Sequence, residues 1–68
     1  MAIYYVNKNA QPTGEHEVHK SDCDYLPDVE NRQQLGSFDS CQEAVKEARK
    51  YFDNVDGCYY CSRACHTR

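Results

Sequence analysis

Apolar and polar positions divide this chain into a strand-rich first half and a helical second half. From Ala2 to Asn7, Ile3 and Tyr5 fall on one face of an extended segment and Tyr4 and Val6 on the other, apolar on both sides. Asn9-Ala10-Gln11-Pro12-Thr13-Gly14 is dense in turn formers and predicts a reversal of the chain. Glu15 to His19 then reads as the returning strand of a hairpin, with Glu15, Glu17 and His19 on one side and His16 and Val18 on the other. Ser21 to Gln34 is polar, carries Pro27 and lacks periodicity, so it reads as a loop anchored by Tyr25-Leu26; Leu35-Gly36-Ser37-Phe38 suggests a short third strand.

The clearest element follows. Ser40-Cys41-Gln42-Glu43 matches a capping box, with Ser40 as N-cap and Glu43 reaching back to it. Behind it Cys41, Ala44, Val45, Ala48 and Phe52 form one apolar helical stripe, while Lys46, Glu47, Arg49 and Lys50 fill the opposite face. The helix is expected to end near Asp53, since Asn54-Val55-Asp56-Gly57 is turn chemistry. The pattern as a whole predicts a single α+β domain over residues 1–68: an N-terminal β-hairpin, a third strand, one α-helix and a CxxC knuckle.

Composition shows what such a fold lacks. The 68 residues include two leucines, one isoleucine and no tryptophan, and the apolar bulk comes from tyrosine, phenylalanine, valine and cysteine. A core this small ordinarily needs disulfides or a metal to hold it. No basic stretch followed by an apolar run opens the chain, and no segment is apolar enough to span a membrane, so a cytoplasmic location with reduced thiols is expected. Five cysteines also leave one over in any scheme of internal disulfides. Metal is therefore the favoured staple. The net charge of −3 and the scattered basic residues argue against a nucleic-acid surface, and a monomer is expected.

The metal ligands follow from spacing. Two residues between Cys58 and Cys61 curl the backbone so that both sulfurs face one point, and the amides of Ser62 and Arg63 are placed to donate to them. Gly57 would let the chain enter that turn in a conformation other residues resist. His19-x-x-x-Cys23, at the exit of the hairpin, supplies the other pair. One structural zinc bound by His19, Cys23, Cys58 and Cys61 is the resulting expectation, with Cys65 or His66 replacing His19 as the alternative. Cys41 sits on the apolar stripe and reads as core, although a helix N-terminus lowers a thiol's pKa and opens a reactive role. His16 has no partner by spacing and reads as a surface residue. Neither a thioredoxin-like nor a c-type haem motif is present: the βαβ context is missing, and Ser62 rather than histidine follows Cys61.

The order His19-x3-Cys23, a long insert holding the helix start from Phe38 to Ala44, then Gly57-Cys58-x2-Cys61 resembles the Ada-type metal-binding domain. The likeness runs from about Val18 to Cys61. It implies one zinc held by an early HxxxC pair and a later CxxC pair. The Val18-His19-Lys20 start and the Gly57-Cys58-Tyr59-Tyr60-Cys61…Cys65-His66 end also resemble a group of short uncharacterised bacterial proteins, a likeness that carries no activity. Ada domains repair methyl phosphotriesters in DNA by sacrificing the first zinc-bound cysteine. Histidine occupies that position here, and an imidazole is no equivalent of a thiolate as methyl acceptor. Three roles are expected to compete: a non-enzymatic protein-interaction module presenting Tyr4, Tyr59 and Tyr60; a thiol sensor or alkyl acceptor using Cys41 or Cys65; and, by family analogy alone, a DNA-associated module.

Overall fold

A four-stranded sheet carries a single helix on one face. In the computed structural model, which describes residues 1–67, β1 (Ala2–Asn7), β2 (His16–Lys20), β3 (Arg32–Phe38), α1 (Cys41–Ala48) and β4 (Val55–Gly57) follow in chain order. The sheet order is β3-β1-β2-β4. β1 and β2 form the expected hairpin, with Tyr4 opposite Lys20, Tyr5 opposite His19 and Val6 opposite Val18. β3 pairs antiparallel with β1 and starts at Arg32, earlier than the apolar pattern suggested, because its first residues pair with Asn7, Val6 and Tyr5 rather than entering the core. The pairing slips between Tyr4 and Tyr5, where Gly36 takes φ 125°, a value that side chains resist.

The helix packs its stripe against the sheet. Cys41, Ala44, Val45 and Ala48 bury against Tyr4, Val6, Val18 and Leu35. Ser40 caps the helix as expected, its Oγ accepting the Glu43 amide at 3.4 Å. Regular helix stops at Ala48, short of Asp53, and a turn bonded from Tyr51 and Phe52 to the Ala48 carbonyl carries the chain onward. Phe52 still packs against the core, and it stacks on His16 with ring centroids 3.9 Å apart. His16 is therefore no bare surface residue: it is half-buried, and its Nδ1 lies 2.9 Å from the Asn7 carbonyl oxygen. Tyr4 likewise departs from the exposed role expected of it and lies 3% exposed in the core, because the helix covers the Tyr4/Val6 face of β1 and leaves Ile3 to solvent.

Two features of the second half correct the sequence reading. Val55-Asp56-Gly57 forms β4 instead of a turn, running parallel to β2 with Val55 beside His16, Asp56 beside Glu17 and Gly57 beside Val18. Cys41 and Cys65 are joined in a disulfide, so the five cysteines do not all remain thiols; the odd count resolves as one pair plus three free cysteines. That bond pins the short 3-10 turn Arg63–Cys65 to the start of α1. No helix among the described residues is long and apolar enough to cross a membrane. Arg68, one of the scattered basic residues, lies outside the described residues.

Candidate metal centre

Parallel pairing decides where the cysteines and histidine meet. Strands that run the same way end at the same edge, so His19 near the end of β2 and Cys58 just beyond β4 arrive together. The Cys58 amide extends the ladder by donating to the Val18 carbonyl at 2.9 Å. Immediately after β2 the chain turns, with the Cys23 amide donating to the Lys20 carbonyl, and this returns Cys23 to the same point. Beyond β4 the Ser62 amide donates to the Cys58 carbonyl, closing the loop that carries Cys61.

The ligand atoms of His19, Cys23, Cys58 and Cys61 all lie within 4.8 Å of one another. Cys23 Sγ is 3.6 Å from His19 Nδ1 and 3.9 Å from Cys58 Sγ, and Cys61 Sγ is 3.9 Å from His19 Nδ1. These four residues can hold a metal ion. His19 and Cys58 are almost fully buried and Cys23 and Cys61 partly so.

Burial raises the pKa of all three thiols and lowers that of His19. Both shifts favour the neutral forms, so a metal bound here would have to displace the thiol protons and supply the charge that stabilises the thiolates. Partial compensation comes from the backbone. The Lys20 amide donates to Cys61 Sγ at 3.3 Å and the Tyr25 amide to Cys23 Sγ at 3.4 Å. The amides of Cys61 and Tyr60 act on Cys58 in the same sense. These donors differ from those expected, because the Ser62 amide is already engaged by the Cys58 carbonyl.

The far side of the His19 ring faces Glu17, whose Oε1 lies 3.7 Å from Nε2. This carboxylate stands beside Nε2 without a direct hydrogen bond, and Nδ1 is the ring nitrogen turned toward the sulfurs of Cys23 and Cys61. Burial raises the pKa of this carboxyl, against a lowering by His66 and by a hydrogen bond from Gln11. Glu17 was legible only as a residue sharing the His19 face of β2.

The alternative ligands lie elsewhere. Cys65 is bonded to Cys41, and His66 Nδ1 lies 3.0 Å from the Gly57 carbonyl oxygen and 3.3 Å from Asp56 Oδ2. Asp56 in turn accepts from the Thr67 amide and hydroxyl, so His66 and Thr67 fold back over β4. Gly57 serves closeness rather than unusual backbone conformation. A Cβ there would lie 2.6 Å from both Cys65 Cβ and the Ser62 carbonyl oxygen, and its φ is not in the positive region. No family model, curated protein or solved structure matches the chain.

Proposed function

We propose that this chain is a small, monomeric, non-enzymatic zinc-binding domain whose metal is structural and whose surface serves as a protein-interaction module. The observation that carries this reading is the convergence of one imidazole and three thiols. A tetrahedron with Zn–S near ~2.3 Å and Zn–N near ~2.0–2.1 Å has edges of about 3.5–3.8 Å, and the donors stand 3.6–3.9 Å apart along the three edges given above. A soft donor set of this kind suits zinc rather than magnesium or calcium. Four protein ligands leave no position for an activated water, so hydrolytic chemistry is not expected. The same order of ligands supports the proposed kinship with Ada-type domains in fold and metal. The histidine at the first ligand position stands against their repair chemistry. Exposed Tyr59 and Tyr60, held between two ligands, supply a contact surface.

Native mass spectrometry of protein purified without chelator tests the metal. One zinc per chain, lost in His19→Ala, supports the proposal; a folded, metal-free chain overturns it.

One observation favours a second reading, that of a redox sensor. Cys41 and Cys65 are bonded to each other, so in this state neither sulfur is a free alkyl acceptor. In the cytoplasmic location proposed from the sequence, a cellular dithiol would reduce the bond, giving two protein thiols and an oxidised dithiol. Iodoacetamide labelling with mass mapping across a series of thiol–disulfide buffers reads this directly. A pair that stays unlabelled at the poise of a reducing cytoplasm removes the sensor.

A further inference from the structure

Three of the large exposed side chains gather in one place. Tyr25, Tyr59 and Tyr60 are 58%, 44% and 66% exposed, yet they pack on one another. Tyr25 and Tyr60 stack with centroids 4.3 Å apart, and Tyr59 meets Tyr60 edge-on at 5.2 Å. Each sits beside a metal ligand: Tyr25 lies two residues after Cys23, and the other two fill the gap between Cys58 and Cys61. The rings and the carboxylate of Glu17 line a cavity of about 220 Å³ together with Asn7, Gln11 and the clustered His19 and Cys58. Across the Tyr25–Tyr60 stack a more open hollow carries Asp22, Asp24 and Lys20.

Aromatic faces attract cations through the ring quadrupole, and the attraction grows where water is excluded. One of these rings already serves that way within the chain, since the Arg63 guanidinium lies 4.8 Å over Tyr59. The cavity is small against the roughly 300–1,000 Å³ of drug-sized ligand sites and too small for a nucleotide. Its carboxylate, Glu17, and the tyrosine faces select a positive guest.

We propose that this tyrosine-walled cavity binds the ammonium head of a lysine side chain presented by a basic polypeptide. The inference rests on the interaction-module reading and names its partner by chemistry. The metal loops set the walls: with Tyr25, Tyr59 and Tyr60 anchored beside ligands, the rings are organised before the guest arrives, which lowers the ordering cost of binding.

The test is an amide-resolved NMR titration of the chain, its zinc content measured beforehand. The probes are a short lysine-containing peptide, the same peptide with norleucine in place of lysine, and butylammonium. Expected are shifts centred on Glu17, Tyr25, Tyr59 and Tyr60 with the lysine peptide, and at least tenfold weaker binding of the norleucine peptide. Tyr60→Leu, an exposed change that removes no ligand, should weaken the lysine peptide severalfold while zinc content holds. Equal binding of lysine and norleucine peptides, or no shift at tens of millimolar, overturns the proposal even when zinc is bound. Butylammonium binding as tightly as the peptide overturns the polypeptide as partner. A chain that binds the lysine peptide but no zinc keeps this inference and sinks the metal reading instead.

Discussion

The Cys58 backbone amide donates to the Val18 carbonyl at 2.9 Å, so the second ligand pair is hydrogen-bonded to the residue preceding the first ligand, His19. One peptide contact thereby fixes the distance between two ligand pairs that the sequence separates by the loop, β3 and α1. The geometry of the cluster belongs to the sheet, and a metal bound there would close what parallel pairing has already aligned.

Removing a ligand should therefore differ sharply from removing the disulfide. His19→Ala leaves three thiols and no fourth donor, and loss of zinc removes a binding contribution on the order of 10 kcal/mol at neutral pH. The Cys41→Ser/Cys65→Ser double variant should retain one zinc per chain. Native mass spectrometry of both variants checks the contrast, and equal metal loss in the two would contradict it.

The disulfide has its own stability effect. Its cysteines are 24 residues apart in sequence, and the loop-closure model gives about 3.5 kcal/mol for a loop of that size. Urea unfolding of the zinc-loaded double variant should show a loss of that order. A midpoint unchanged from the parent would mean that zinc alone restrains the two segments.

Gly57→Ala should be harmful although its backbone conformation is ordinary. The added methyl meets Cys65 Cβ and the Ser62 carbonyl, both parts of the framework, and overpacking of this kind costs about 1–3 kcal/mol. Because Cys58 is the next residue, zinc affinity should fall along with the urea midpoint; competition with a chelator measures it. A fully tolerated alanine would show that the Arg63–Cys65 turn can move away.

Acid should release the metal and the fold together. Burial depresses the His19 pKa below 6.5, so below that pH the unfolded chain takes up a proton that the folded chain resists; this contribution is present above pH 6.5 and lost as pH falls. Protons also compete with zinc for the thiolates in the same direction. The thiols of the metal-free chain act oppositely: their raised pKa values stabilise the fold below pH 9.0 and cease to do so as pH rises through the folded values. Thermal unfolding of the loaded protein between pH 8 and pH 5 should show steadily falling Tm and early zinc release. A flat profile would refute the assignment of His19.

What could be read from the chain follows from which interactions are local. The Ser40 cap, the Cys41/Ala44/Val45/Ala48 stripe and the hairpin rest on neighbours a few residues apart, and they appear as expected. The four clustered residues were legible too, because HxxxC and CxxC are local spacings. β4 was hidden, since three residues ending in Asp56-Gly57 look like a turn until β2 is beside them. The burial of Tyr4 rather than Ile3 was equally silent: with both faces of β1 apolar, only the position of the helix chooses. The Cys41–Cys65 bond, the Glu17 contact to His19 and the tyrosine cluster join segments that only the completed fold brings together.

The separation of the cysteines into a cluster of three and a bonded pair also dictates an order of maturation. A freshly made, metal-free chain offers its oxidant five competing thiols and many wrong partners. A metal ion captured by Cys23, Cys58 and Cys61 would act as a protecting group and leave Cys41 and Cys65 only each other. Metal loading before oxidation would then yield a single covalent isomer, whereas oxidation first would let the three cluster cysteines enter wrong pairs.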